Sequence, residues 1–107
     1  MLSFMDVYTL WRAQPFPRGG SGGELSAIHG DLAVADEHVT AVIRFVERGV
    51  FKPVTPGVLP MLDDILERTE RLLVDTDASV RAVAQQQHAY AALLRLLYAQ
   101  FLAAGAG

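Results

Sequence analysis

The amino-acid sequence predicts an all-α protein, built as an antiparallel three-helix up-down-up bundle with a short N-terminal helix or flap. Three observations support this prediction. Apolar residues recur at alternating spacings of three and four along three long segments. Prolines and glycines cluster in the stretches between those segments, where helices are expected to stop. The connections are short, which favours helices packed side by side in opposite directions.

Composition favours one folded domain. The 107 residues fit a single domain, and 51% are hydrophobic against 20% charged, a balance typical of chains that build a core. We predict a single helical domain over residues 1–107, with a flap at 1–14, a linker at 15–23 and the bundle at 24–104. The chain has no cysteine, so disulfides and thiolate metal sites are excluded.

Charge disfavours nucleic-acid and membrane partners. The net charge is -3 and the basic residues are scattered, whereas nucleic-acid binding needs clustered cations that neutralise phosphates. An apolar run at residues 89–107 is about as long as a membrane-spanning helix, but Arg95 near its middle would be costly inside a bilayer. We therefore expect a cytoplasmic protein. Eight of the nine basic residues are Arg, which favours a bacterial source.

The N-terminal segment is predicted to form a short helix at residues 4–13. Ser3 and Asp6 have the spacing of an N-cap pair, in which an acidic side chain faces the exposed amides of the first turn. A strand is the alternative, because Val7, Tyr8 and Thr9 favour extended backbone. In either case the aromatic side chains need cover, so the flap is expected to pack on the following helices.

The linker at residues 15–23 is rich in Pro and Gly, and we interpret it as flexible. Ser21 and Glu24 have capping-box spacing, which predicts a second helix starting at about residues 22–25 and stopping at Gly49. Its apolar positions form an unbroken heptad seam: Leu25, Ile28, Leu32, Ala35, Val39, Val42 and Val46.

The third helix is predicted from about Pro56 to Val74, with Thr55 as its N-cap and Pro56 in its first turn. Two pairs on its surface, Asp64 with Arg68 and Glu67 with Arg71, have the favourable i,i+4 order. Its acidic residues are therefore interpreted as a solvated face. The apolar seam comprises Leu62, Ile65, Leu66, Thr69, Leu72 and Leu73.

The last helix is predicted from about Ala78 to Ala104, after a turn and cap at residues 75–77. Its seam contains one amide, Gln87, which would need hydrogen-bond partners in the core. Alternatively the seam drifts, and Ala84 and Ala91 face the core instead. The predicted seam comprises Val80, Val83, Gln87, Tyr90, Leu94, Leu97 and Phe101.

A second apolar stripe follows the last helix, well round from the seam at 100° per residue. One packing face is enough for a bundle helix, so we predict that the surplus contacts a partner. The expected partner is a second copy in a homodimer, or another helical protein, in an adaptor, regulatory or neutralising role. The predicted interface comprises Gln86, Ala89, Leu93, Leu96 and Gln100.

The alternative function is binding of a small apolar or aromatic ligand between the helices, with the Gly-rich loop as a gate. The predicted lining comprises Trp11, Phe16, Phe45, Tyr90 and Tyr98.

Enzyme chemistry is not expected, and no catalytic, metal or cofactor residues are predicted. Residues 19–23 match the G-x-S-x-G pattern, but that motif works at a strand-to-helix turn in an α/β scaffold. His29 and His38 are nine residues apart on one helix and point to opposite sides. His88, the third histidine, lies far along the chain.

Overall fold

A computed structural model describes residues 3–20, 23–48 and 57–106. Within these residues the chain forms four helices and no strand: α1 (Phe4–Ala13), α2 (Gly23–Glu47), α3 (Val58–Leu72) and α4 (Ala78–Ala106). The all-α prediction is confirmed. The described part measures 46 × 24 × 19 Å. A helix rises about 1.5 Å per residue, so α4 with its 29 residues accounts for most of the long dimension.

The capping pair at the N-terminus makes α1 a helix rather than a strand. Ser3 Oγ accepts a hydrogen bond from the amide of Asp6 at 3.2 Å, and the Asp6 carboxylate accepts one from the amide of Ser3 at 3.0 Å. These bonds satisfy two of the amides that a helix start leaves free, and the Ser3 amide lowers the pKa of Asp6. The helix ends before Pro15, with Gln14 already extended.

The other helix ends agree with prediction to within a few residues. Helix α3 begins and ends two residues inside the predicted bounds, and α4 extends two residues beyond Ala104. The Asp77 carboxylate caps α4 by accepting hydrogen bonds from the amide and the hydroxyl of Ser79, at 2.9 and 2.6 Å. The predicted cap at Ser21, the stop at Gly49 and the cap at Thr55 lie outside the described residues.

Helix α3 runs antiparallel to α4. Asp63, early in α3, pairs with Arg95, late in α4. Thr69, late in α3, meets His88 earlier in α4, with the Thr69 hydroxyl 2.8 Å from His88 Nδ1. The order of contact is therefore reversed between the two helices.

Helices α2 and α4 run in the same direction. Gln87 meets Leu25 near the start of α2, and the ring of Tyr98 lies 6.1 Å from that of His38 further along both helices. The residue numbers of the contacting residues therefore increase together along the two helices. Helix α3 consequently runs against both of its neighbours.

The seam of α2 is buried as predicted over its first five positions, from Leu25 to Val39. At the next position Ile43 is buried and Val42 is only half-buried. A straight α-helix has 3.6 residues per turn, so a strict heptad pattern drifts round its surface and the buried position moves on by one residue. The side chain of Val46 lies outside the described part.

Arg68 connects α3 to α2. Its guanidinium donates to Glu24 at 2.9 Å, to Asp31 at 2.6 Å and to Asp64 at 3.2 Å. The two carboxylates from α2 raise the pKa of Arg68, with the bond to Asp31 contributing most. The predicted pair of Asp64 with Arg68 is therefore confirmed, but it belongs to a cluster that spans two helices.

The second predicted pair on α3 is also confirmed. Arg71 lies 3.6 Å from Glu67, and both side chains are about two-thirds exposed. Exposed pairs of this kind contribute little to stability, because water screens them and both side chains lose freedom.

Candidate functional site

Residues 14–20, called the strap below, leave α1 and cross the surfaces of α2 and α4. The ring of Phe16 lies edge-on between His29 of α2 and Tyr90 of α4, at 5.2 Å from each ring. Pro17 is buried beside it. The interpretation of this stretch as a flexible linker differs from the structure, which packs the strap against two helices.

Two glycines let the strap lie close to α2. A Cβ atom at Gly19 would lie 2.9 Å from Cγ of His29, closer than carbon atoms approach. Gly20 has a φ of +71°, in the region that favours glycine, and its Cβ would lie 3.0 Å from Cβ of Leu25. The Gly-rich composition therefore serves close packing as well as the turn.

Gln87 of α4 holds the strap in place through hydrogen bonds of its side-chain amide. Its side chain is fully buried, and Nε2 donates to the carbonyl of Arg18 at 3.0 Å and to that of Leu25 at 3.1 Å. Its Oε1 accepts no hydrogen bond from the described residues. Ala84 and Ala91 are also fully buried, so they face the core together with Gln87 and do not replace it there. The inward face of α4 is wide enough for all three side chains.

A second polar connection joins α1, α4 and α2. The indole Nε1 of Trp11 donates to the hydroxyl of Tyr90 at 3.0 Å, and that hydroxyl donates to a carboxylate oxygen of Asp36. Trp11 and Tyr90 are both buried. Burial raises the pKa of Tyr90, and the bond to Asp36 raises it further, because ionisation would place two negative charges side by side.

A groove of about 670 Å³ lies between the strap and α4. Two aromatic residues, Phe16 and Tyr90, form its apolar part together with two prolines and two alanines. Three glutamine amides supply hydrogen-bonding groups, and Arg18 is its one charged lining residue. A flat apolar group with an anionic end would match this lining. The lining comprises Gln14, Pro15, Phe16, Pro17, Arg18, Ala82, Gln85, Gln86, Ala89 and Tyr90.

The structure brings together three of the five residues predicted for ligand binding. Trp11, Phe16 and Tyr90 are linked as described above. Tyr98 is fully buried elsewhere, near His38, and Phe45 is half-buried on α2. Neither of them lines the groove, and Trp11 does not line it either. Apart from Phe16, sequence reasoning missed the strap residues, because a Pro/Gly stretch gives no periodic signal to show which helices it touches.

The predicted interface residues lie on the side of α4 away from α2 and α3. Gln86 and Ala89 are exposed, and Leu96 is 40% exposed. Leu93 and Gln100 are half-buried, and Leu93 also packs against the chain's own core. These residues belong to a longer surface, the outer face, whose members are exposed or half-buried: Ala82, Gln85, Gln86, Ala89, Ala92, Leu93, Leu96, Ala99, Gln100 and Ala103.

The outer face carries no charged side chain. The ionisable residues of α4 point elsewhere: Arg95 pairs with Asp63, His88 meets Thr69, and Arg81 donates to the carbonyl of Asp75. An uncharged strip this long is unusual on the surface of a chain in which 20% of residues are charged. Surfaces of this kind commonly mark sites of contact with another molecule.

The three histidines have separate surroundings. His29 packs on Phe16, His38 is exposed on α2, and His88 meets Thr69. Within the described ranges, no group of three or more His, Cys, Asp or Glu side chains is placed to hold a metal ion. No helix in the same ranges has both the length and the apolar content that crossing a bilayer requires.

Comparison with known proteins adds no relative. No protein-family model, no curated protein and no solved structure matches this chain.

Proposed function

We propose that this protein acts through protein–protein contact, and that it self-associates through the outer face of α4. The observation that carries the proposal is the uncharged surface from Ala82 to Ala103, with Leu96 standing out from it. An adaptor, regulatory or neutralising role in the cytoplasm is the corresponding cellular function.

The chemistry of the outer face suits contact with another helix. Burying a charged group costs free energy unless it is paired, and this face has none to bury. Its alanines let a second helix approach closely, while Leu96 supplies a side chain large enough to fill a space on the partner. Two copies each carry a net charge of -3. They repel one another weakly overall, so an uncharged face is where they meet at least cost.

The test is sedimentation equilibrium of the parent and Leu96→Glu. We expect a dimer for the parent and at least tenfold weaker association for the variant, because two carboxylates would be buried in the contact. Leu96 is preferable to Leu93 as the target, since Leu93 also packs against the core and its replacement could unfold the chain.

Val74→Glu is the matched control for this measurement. Val74 is 83% exposed and lies outside α4, so the same charge is added to a surface without a proposed role. We expect its association to equal that of the parent. A parent that is folded and monomeric, or a Leu96→Glu variant that associates like the parent, would contradict self-association through this face.

A second candidate function rests on the groove between the strap and α4. Its two rings and the single cation Arg18 favour an aromatic anion, so anilinonaphthalene sulfonate is a suitable probe. We expect a saturable increase in dye fluorescence that weakens at least fivefold in Phe16→Ala. Leu10→Ala removes a comparably exposed side chain outside the groove and should leave the titration unchanged. Equal binding by all three proteins would argue against the groove as a ligand site.

A further inference from the structure

We propose that two copies of α4 pack antiparallel about a two-fold axis that passes between Ala92 and Leu93. This inference rests on the proposed self-association and specifies its geometry. The partner is a second copy of this chain, and the contact is isologous: each subunit contributes the same outer face.

The outer face of one subunit is complementary to the outer face of a second subunit that runs in the opposite direction. With the axis between positions 92 and 93, Ala89 lies opposite the partner's Leu96, and Ala82 lies opposite the partner's Ala103. The first pairing occurs twice by symmetry, so each exposed Leu96 meets a small residue. Large against small is the arrangement that fills space between two packed helices.

The flanks of the outer face match in the same way. At 100° per residue, Gln85, Ala92 and Ala99 lie on one side of the line through Ala89 and Leu96. In the antiparallel pair this flank faces the same flank of the partner, which runs in the opposite direction. Ala92 therefore packs on Ala92 of the partner subunit, and Gln85 packs on the partner's Ala99. The small residues at the centre allow close approach of the two backbones.

The opposite flank is larger and contains Gln86, Leu93 and Gln100. Here Leu93 meets the partner's Leu93 at the axis, and Gln86 meets the partner's Gln100 at either end. The amide oxygen of Gln100 is buried within its own chain, so the exposed amide of Gln86 supplies the polar edge of the contact on this flank. The polar pairs frame an apolar centre, as protein interfaces commonly do.

A parallel pair fits this surface poorly. In register, Leu96 would face the partner's Leu96 and hold the helices apart, while Ala89 would face the partner's Ala89 across the gap that results. Voids of this kind forfeit packing energy. The distribution of large and small residues therefore favours the antiparallel direction.

The strip alone is smaller than a stable interface, so the proposed dimer needs the groove beside it as part of the contact. From Ala82 to Ala103 the strip is about 32 Å long, and at a helix width of about 10 Å it covers about 320 Å². Specific interfaces bury about 800 Å² on each partner. The groove adjoins the strip, since Ala89 and Gln86 belong to both, and it carries the half-exposed ring of Phe16. The partner's Leu96, opposite Ala89, is placed at the edge of this groove.

Spin labels on single cysteines test the direction of packing. The chain has no cysteine, so Ala82→Cys and Ala103→Cys each introduce the only thiol. In the antiparallel dimer two labels at position 82 are separated by about 32 Å along the helix axis, and so are two labels at 103. Mixing the two labelled proteins gives a label pair separated by only about 10–15 Å. A short distance between two labels at position 82 would overturn the antiparallel arrangement.

Charge pairing at the same two positions is an independent test. Ala82→Lys with Ala103→Glu places opposite charges together in the antiparallel dimer, whereas Ala82→Lys with Ala103→Lys places like charges together. We expect the first double variant to associate like the parent and the second at least tenfold more weakly. If both double variants associate equally weakly, the antiparallel arrangement is overturned, because like charges would face each other in a parallel dimer of either variant.

Self-association and the antiparallel arrangement are contradicted by different results. A parent that sediments as a monomer at all concentrations contradicts self-association itself, and the arrangement with it. A parent that dimerises but shows a short distance between labels at position 82 retains self-association and loses only the antiparallel geometry. Circular dichroism of every variant separates these outcomes from a failure to fold.

Discussion

Replacing Tyr90 by Phe is expected to lower the free energy of unfolding by about 2–3 kcal/mol, because a buried donor loses its acceptor. The Tyr90 hydroxyl accepts from the indole of Trp11 and donates to Asp36. Phe keeps the ring but leaves the buried indole N–H without this acceptor. Urea denaturation followed by Trp11 fluorescence measures the change, since Trp11 is the chain's single tryptophan.

The same variant has a distinct pH dependence. The folded-state pKa of Tyr90 is raised above its ordinary value of 10.0, first by burial and then by the bond to Asp36. Folding therefore favours the protonated hydroxyl. Its contribution to stability is fully present below pH 10 and is lost as pH rises through the raised folded-state pKa. The stability difference between the parent and Tyr90→Phe should narrow above pH 10.

Tyr8→Phe is the matched control for both measurements. The Tyr8 hydroxyl donates to Glu47 at 3.0 Å, but this bond is at the surface, where water can replace it. We expect a loss below about 1 kcal/mol. If Tyr90→Phe costs no more than Tyr8→Phe, the connection between α1, α2 and α4 does not contribute to stability as the geometry indicates.

The helices themselves were predictable from local signals. Ser3 and Asp6 mark the start of α1, Asp77 marks the start of α4, and the spacing of apolar residues identifies the buried faces of α2 and α3. Each of these signals acts over one or two turns of helix. The drift of the α2 seam from Val42 to Ile43 is the expected departure of a straight helix from a heptad pattern.

The position of the strap was not predictable in this way. Phe16 contacts residues 13 and 74 positions away, His29 and Tyr90. Neither helical periodicity nor turn chemistry relates residues at that separation. The single indication in the sequence was Gln87, an amide on an apolar seam that required a partner. Its partner proved to be the backbone of the strap and of α2, which no side-chain pattern encodes.

The sequence predicted that α4 has more apolar surface than its buried face requires, but it did not predict how far the outer face extends. Counting apolar residues identified Ala89, Leu93 and Leu96, because one bundle helix needs only one buried face. Ala82 and Gln85 escaped notice, since an exposed alanine or glutamine is ordinary by itself. They became part of the surface when the structure showed that Arg81, His88 and Arg95 all point away from it.

Replacing Gln87 by Met is expected to lower the free energy of unfolding by about 1–2 kcal/mol and to loosen the strap. Met has a similar volume, so the core stays filled, but both hydrogen bonds to the carbonyls of Arg18 and Leu25 are lost. Each typical bond contributes about 1 kcal/mol, and removal of the buried Oε1, which no described residue satisfies, offsets part of the loss. Gln87→Ala should cost about 2–4 kcal/mol, because it adds a cavity to the same loss.

The loosening of the strap is measured separately by trypsin, which cleaves after Arg18 once that segment opens. We expect Gln87→Met to be cleaved there several-fold faster than the parent under native conditions, because its strap is no longer fastened to α4. Glu70→Ala is the control: Glu70 is exposed on α3 and lies outside the groove, so its cleavage rate and stability should match those of the parent. Equal cleavage of Gln87→Met and the parent would mean that Phe16 and Pro17 hold the strap without the amide.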